Sequence, residues 1–189
     1  MEDISRRGRE LFAAGVRDPV VVSLAVRTYL TVGQRNDPEA VNVYLTFVEA
    51  DVPDEEDLRQ EVLRFLAVAL DVDLRADPRE ILHLCPLLER MHRVRPGMAF
   101  PLFQLGRYHY LQRDYRTARQ YLGRVTGKLA KNPRLINLQG RCSEKLGDLA
   151  TALDQFRRSL AEDPDQAHVH FCIGRILLHD YVEASSAGA

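Results

Sequence analysis

The chain has 189 residues, 46% of them hydrophobic, which is enough apolar material for one sizeable core or for several stacked helical hairpins. The charge is unevenly divided. Residues 1–98 carry 13 Arg against 18 Asp and Glu, while residues 99–189 carry 13 Arg and Lys against 9 Asp and Glu. This division predicts an acidic partner for the second half, or contact between the two halves.

Composition and cysteine spacing argue against membrane and secreted classes. The apolar runs are far shorter than the roughly 20 residues that a membrane helix needs, and the first ten residues are too charged for a signal peptide. Cys85, Cys142 and Cys172 have no short paired spacing, which fits a reducing compartment better than a disulfide framework. We expect a soluble, cytoplasmic protein without membrane insertion.

Helical signals dominate the first half of the chain. Asp followed by Pro at residues 18–19 and 37–38 marks two helix starts, since Asp caps a helix and Pro suits its first turn. Residues 1–64 are predicted to form an atypical helical region that acts as a cap or a dimer surface. Residues 65–98 follow as a degenerate helical hairpin, in which Pro86 should kink or split a helix.

The second half repeats itself with a period of 34 residues. Small, apolar and acidic residues all recur at this spacing. The recurring sets are Gly106, Gly140 and Gly174; Ala118 and Ala152; Leu122 and Phe156; and Asp114 and Asp148. A fixed period of this length indicates stacked helical hairpins, each of which buries its apolar face against its neighbours.

The residues at these positions resemble the tetratricopeptide repeat (TPR). That repeat has a large apolar residue at position 4, Leu-Gly at 7 and 8, Ala at 20, an aromatic residue or Leu at 24, and Pro near 32. Repeats counted from Ala99 and Pro133 carry the pattern, and a third, from Ala167, stops after one helix. The matching residues are Leu102, Leu105, Gly106, Ala118, Leu122, Ile136, Gly140, Ala152, Phe156, Pro164, Ile173 and Gly174.

The resemblance implies an all-α fold, an α-α hairpin superhelix or TPR-like solenoid. It places repeats at 99–132 and 133–166, a further first helix or terminal helix at 167–182, and a flexible tail at 183–189. Because Gly at position 8 and Ala at position 20 lack bulk, the two helices of a hairpin should approach closely. The third repeat has no second helix, so its apolar edge should meet further chain, a second copy or a partner.

Positions 2, 5, 9 and 12 of the first helices form a stripe that repeat stacking should align along a concave wall. They supply the predicted peptide-binding residues: Phe100, Phe103, Arg107, Tyr110, Arg134, Asn137, Arg141, His168, Phe171 and Arg175. Arginine occupies position 9 three times, and a guanidinium binds a carboxylate through two parallel hydrogen bonds. The stripe predicts an acidic or carboxylate-ended ligand with apolar anchors. The alternative interpretation is a salt bridge from each arginine to a neighbouring hairpin.

Signals for catalysis and metal binding are weak. The chain has no phosphate-binding glycine loop and no nucleophile elbow, and Ser143 lacks triad spacing with His and Asp residues. His168, Cys172 and Cys142 lack the tight spacing of metal ligands, which favours buried thiols and a groove histidine. We predict no enzyme activity, no catalytic residues, no cofactor and no metal site.

The predicted function is a non-enzymatic interaction scaffold or adaptor that binds an acidic peptide or a partner helix in a concave groove. Phe103 and Arg107 replace the Lys and Asn of the carboxylate clamp for chaperone C-termini, which argues against that TPR variant. The alternatives are a bacterial TPR-type secretion chaperone and a regulatory fragment of a larger signalling protein. An RNA-binding helical repeat is a further alternative, although the near-neutral charge argues against it.

Overall fold

The computed structural model describes residues 80–187 continuously, and before them only residues 7, 10, 11, 14–16, 18, 45, 49, 60, 62, 63 and 67. Its continuous part contains α1 (Glu80–Val94), α2 (Ala99–Leu111), α3 (Tyr115–Gly123), α4 (Pro133–Lys145), α5 (Leu149–Glu162) and α6 (Ala167–Ala187). A short 3-10 helix at Gly127–Lys131 lies between α3 and α4. No described residue belongs to a strand, and the prediction of an all-α hairpin fold is confirmed.

The chain divides into two compact units, Met1–Pro96 and Gly97–Ala189. In the first unit, α1 buries one side, which carries Leu84, Leu88 and Met91. The predictions for residues 1–64, and for the part of the 65–98 hairpin that precedes α1, lie largely outside the described residues.

An ion pair joins α1 to a residue far earlier in the first unit. Arg90 donates from Nε and Nη2 to the two carboxylate oxygens of Glu49, at 2.8 and 2.7 Å. These hydrogen bonds lower the pKa of Glu49. The planar guanidinium therefore holds the carboxylate by both of its oxygens, which is the strongest geometry for this pair.

Pro86 lies inside α1, and the helix continues through it from Glu80 to Val94. Of the two predicted outcomes, the split of the helix is therefore wrong, and the kink stays a prediction. Proline lacks an amide hydrogen, so the carbonyl four residues earlier loses its helical partner. Pro86 itself lies on the exposed side of α1.

In the second unit the hairpins stack in chain order. Helices α2 and α3 form one pair, α4 and α5 the next, α3 contacts α4, and α6 packs against α5. One core cluster contains Leu102, Ala118, Leu122, Val125, Leu135 and Cys142, and a second contains Ala152, Phe156, Val169 and Ile176. Each cluster draws on consecutive helices, so the apolar face of a helix is buried by its neighbours in sequence.

Both hairpins turn between their helices in the same way. Asp114 and Asp148 cap α3 and α5, and each Oδ1 accepts a hydrogen bond at 3.2 Å from the amide three residues later. Hydrogen bonds from Thr117 and Thr151 lower the pKa of Asp114 and of Asp148, respectively. The residue before each cap has a left-handed backbone, with φ of 63° at Arg113 and 80° at Gly147.

Two glycines allow the helices of each hairpin to approach closely. A Cβ placed on Gly106 would lie 2.5 Å from the side chain of Leu122, and one on Gly140 would lie 2.7 Å from the ring of Phe156. Carbon atoms do not pack at such distances, so a side chain at either position would force Leu122 or Phe156 to move. We call these two approaches the glycine contacts, and they confirm the predicted closeness of the hairpin helices.

Helix α6 is longer than predicted. It continues to Ala187, so residues 183–187 are helical where a flexible tail was expected. The sequence from 183 to 187 contains neither glycine nor proline, and alanine is the best helix former. Ser185 also donates from its hydroxyl to the carbonyl of Tyr181 at 2.8 Å, a bond compatible with helical backbone.

Candidate functional site

The first helices of the three repeats, α2, α4 and α6, are joined by side chains 31 residues apart. The guanidinium carbon of Arg141 lies 4.9 Å from the ring centroid of Tyr110. In the same way, Arg175 forms an ion pair with Glu144. Both pairs join position 12 of one helix to position 9 of the next. We call the surface formed by positions 2, 5, 9 and 12 of these helices the first-helix face.

Arg141 is exposed on α4, and the ring beneath it is half-buried. Burial raises the pKa of Tyr110, and the neighbouring positive charge of Arg141 acts in the opposite direction. A cation–π contact between a guanidinium and an aromatic ring is worth about 0.5–1 kcal/mol at a solvent-exposed site. This contact restricts the motion of the Arg141 guanidinium. Arg134 is also exposed, two turns earlier on the same side of α4. This part of the first-helix face therefore presents two guanidinium groups to solvent.

The other two arginines at position 9 have different surroundings. Arg107 is half-buried, lies 5.5 Å from the ring centroid of Phe103, and donates from Nη1 to the buried Gln104 at 2.7 Å. Arg175 donates from Nη2 to Oε1 of Glu144. The alternative interpretation, a salt bridge to the neighbouring hairpin, is thus observed for Arg175. The three arginines do not form a uniform row of equally available charges.

Asn137 is buried, with 7% exposure, although it was predicted to line the groove. Its Nδ2 donates to Oε1 of Gln166 and lies 3.4 Å from Nε2 of His168. Gln166 in turn donates to the backbone carbonyls of Ser159 and Asp163, at 3.0 and 2.6 Å. The amide of Asn137 therefore joins α4 to the connection between α5 and α6 and does not reach the surface.

The remaining predicted residues divide by exposure. Phe100, Phe103, Arg107 and Tyr110 on α2 are half-buried, whereas Arg134, Arg141, His168, Phe171 and Arg175 on α4 and α6 are exposed. Gln104 and Gln166 bond to predicted residues and lie outside the predicted stripe. Glu144 is at position 12 of that stripe, and it stands 31 residues before its partner Arg175, the same spacing as Tyr110 and Arg141.

Both cysteines of the second unit have a raised pKa. Burial raises the pKa of Cys142 to about 12, and burial with the nearby Glu144 carboxylate raises the pKa of Cys172. A thiolate is the form that attacks an electrophile, so neither thiol is activated as a nucleophile near neutral pH. Within the described part of the chain, no three His, Cys, Asp or Glu residues are grouped closely enough to hold a metal ion.

Solved structures that are similar to this chain include TPR proteins. MamA from Desulfovibrio magneticus RS-1 (41-end) is 15% identical, covering 92% of this chain and 91% of its own, with a TM-score of 0.61. A further MamA crystal structure is 18% identical, covering 87% of this chain and 89% of its own, with a TM-score of 0.55. TTC0263, a thermophilic TPR protein of Thermus thermophilus, is 22% identical over 94% of this chain and 98% of its own, with a TM-score of 0.44.

The chain therefore has the TPR fold, as its repeats predicted. No protein-family model and no curated protein matches the sequence. None of the helices in the described residues is long and apolar enough to cross a membrane.

Proposed function

We propose that the protein is an interaction scaffold, an adaptor that binds an acidic or carboxylate-ended peptide at the first-helix face. One observation carries the proposal: Arg141 is exposed on α4 and lies over the ring of Tyr110. A guanidinium already held by a ring loses less rotational freedom when it binds a ligand. Its planar donor fork can then bond both oxygens of one carboxylate.

The neighbouring arginines rank behind Arg141 as carboxylate ligands. Arg175 is paired with Glu144, so a ligand carboxylate there would have to displace an existing partner. Arg134 is exposed and two turns from Arg141 on the same helix, so it can meet a second acidic group of an extended ligand. We therefore propose Arg141 as the centre of the site and Arg134 as its extension.

Apolar groups on the same face support a ligand with both acidic and apolar residues. The ring of Phe171 is 68% exposed, and the rings of Phe103 and Tyr110 are half-buried. Residues 99–189 carry a net charge of +4, from 13 basic and 9 acidic residues, which attracts acidic partners and raises their association rate. A segment that alternates Asp or Glu with Leu or Phe has the matching chemistry.

Fluorescence anisotropy with short labelled peptides tests the proposal. The probe is a peptide of alternating Glu and Leu with a free C-terminal carboxylate, compared with its Lys-Leu counterpart. We expect binding of the acidic peptide alone. Charge reversal by Arg141→Glu should weaken that binding by about tenfold or more, since charge-assisted hydrogen bonds contribute about 1.5–3 kcal/mol.

The matched control is Arg158→Glu, because Arg158 is exposed on α5 on the side almost opposite the buried Phe156. This variant changes the net charge by the same amount away from the first-helix face, and it should bind the acidic peptide as the wild type does. An equal loss in both variants would assign binding to net charge and refute the site. Salt-sensitive binding of a labelled single-stranded RNA, with no peptide binding, would favour the RNA alternative.

A further inference from the structure

Helix α6 is apolar on two opposite sides. One side packs against α5 and buries Val169 and Ile176, at 0% and 2% exposure. The opposite side carries large apolar residues at 46–70% exposure: Phe171, Leu177, Leu178, Tyr181 and Val182. In helical projection these five residues lie within about 80° of Gly174. We call them, with Gly174, the outer face of α6. An apolar side of a helix is normally buried against another element.

Gly174 is the glycine that stands one period after Gly140, at position 8 of its repeat. In the two preceding repeats this position forms a glycine contact with the second helix of the hairpin. A Cβ placed on Gly174 would meet nothing within 4 Å among the described residues. At position 8 the backbone of α6 is therefore accessible to a neighbouring helix. The same position in α2 and α4 is already covered by the second helix of the hairpin.

The two glycine contacts show which kind of side chain fits such a place. Leu122 enters at Gly106 and Phe156 enters at Gly140, and each large residue follows a buried alanine by four positions, Ala118 or Ala152. The fitting element is thus an antiparallel helix with a small residue one turn before a large apolar one. The small residue keeps the two backbones close while the large one fills the space over the glycine.

Helix α6 itself has this pattern on its outer face. Gly174 is the small residue, and Leu178 is the large apolar residue four positions later, 63% exposed. The outer face therefore contains both the open glycine and the side chain that would fill it. A surface that is complementary to itself is what a two-fold symmetric pair requires.

We infer that two copies of the chain pair through the outer faces of α6, with the two helices antiparallel. Leu178 of each copy enters at Gly174 of the other, so the glycine contact of the hairpins is formed twice across the two-fold axis. In this register Phe171 of each copy lies opposite Tyr181 of the other, because both are three residues outward from the central pair. The dimer thereby covers the exposed apolar residues of α6.

The expected affinity is modest, since the interface is one face of a 21-residue helix. A stable protein interface usually buries about 800 Å² on each partner, more than a single helix face offers. We therefore expect a dimer that dissociates in the micromolar range. Phe171 belongs both to the first-helix face and to the outer face of α6. Peptide binding is centred on Arg141 of α4, so self-association through α6 can fail while peptide binding at Arg141 holds, and the reverse.

Sedimentation velocity from low to high micromolar concentration tests the pairing on the full chain. The wild type should shift from monomer to dimer. Gly174→Leu should stay monomeric, because its side chain occupies the space that Leu178 of the second copy needs. In the monomer the Cβ of this leucine meets no described residue within 4 Å, so circular dichroism should report unchanged helicity.

The matched control is Gly123→Leu, since Gly123 is also exposed, ends α3 and has nothing within 4 Å of its Cβ position. This variant should dimerise as the wild type does. Leu178→Ala provides a second variant if Gly174→Leu loses helicity, and it too should be monomeric. A wild type that stays monomeric, a dimer that survives both α6 variants, or growth into open-ended oligomers would each overturn the two-fold pairing.

Discussion

The two closed hairpins, α2–α3 and α4–α5, differ from α6 in what surrounds the glycine at position 8. Gly106 faces Leu122 and Gly140 faces Phe156 without room for a Cβ, whereas Gly174 has open space around it among the described residues. Glycine at position 8 therefore allows close packing in α2 and α4. In α6 the glycine at this position only weakens the helix, because glycine is a poor helix former. A periodic pattern reports where a neighbouring helix fits, and the neighbour determines how much that position contributes to stability.

The largest expected difference in the free energy of unfolding is between substitutions of Phe156 in the α4–α5 hairpin and of Phe171 on the outer face of α6. Phe156 is 1% exposed and Phe171 is 68% exposed. Phe156→Ala removes the ring that fills the glycine contact and leaves a cavity, so the free energy of unfolding should fall by about 3–5 kcal/mol. Phe171→Ala should change it by no more than about 0.5 kcal/mol, since this ring is at the surface. Urea unfolding followed by circular dichroism, on dilute monomeric protein, measures both.

Equal losses in the two phenylalanine variants would contradict the distinction. Such a result would mean that the outer face of α6 is covered within the monomer. The dimer through α6 would then lose its basis as well.

A test of intermediate size replaces glycine by alanine at two positions, Gly140 and Gly174, where the same substitution should have opposite effects on stability. Gly140→Ala forces a Cβ to within 2.7 Å of the Phe156 ring, and overpacking of this kind costs about 1–3 kcal/mol. Gly174→Ala meets no neighbour and should stabilise the monomer by up to about 1 kcal/mol through higher helix propensity. The measurement is the urea midpoint of each variant on dilute protein, and destabilisation by Gly174→Ala would show that its neighbourhood is occupied.

Much of the fold could be predicted because the repeated residues have specific structural roles. Glycine at 106 and 140 allows the glycine contacts, and aspartate at 114 and 148 caps the second helices, so the 34-residue period locates both hairpins. The end of α6 could not be placed. Serine and alanine after residue 182 are compatible with a helix or with an extended tail, and no glycine or proline decides between them before residue 188.

The candidate site could be predicted only as a set of positions. Helical spacing placed Arg141 and Arg175 on one stripe, and each contacts position 12 on the first helix of the preceding repeat. It could not identify their partners, because an arginine can pair with a ring, an amide or a carboxylate within the same reach. Asn137 illustrates the limit: its amide turns to Gln166, a residue outside the stripe, and so becomes buried.

A smaller difference separates the two closed hairpins at their turns. The backbone hydrogen bonds are the same in both turns. The amides of Arg113 and Gly147 each donate to the carbonyl three residues earlier, at 3.0 Å. The amides of Asp114 and Asp148 donate to the carbonyls five residues earlier, at 3.0 and 2.9 Å. Only the residue at the left-handed position differs. Glycine adopts this conformation without strain, whereas the Cβ of any other L-residue makes it unfavourable by about 1–2 kcal/mol.

Arg113→Gly should therefore stabilise the first hairpin by up to about 1 kcal/mol, because relief of strain exceeds the added entropy of the unfolded chain. Gly147→Ala should destabilise the second by about 1 kcal/mol for the converse reason. The matched control is Arg116→Gly, also exposed but in the ordinary helical backbone of α3, which should lower stability by about 0.8 kcal/mol. Hydrogen exchange of the α3 and α5 amides measures these effects locally, and loss of protection in Arg113→Gly would mean that the arginine side chain stabilises its turn by more than the strain costs.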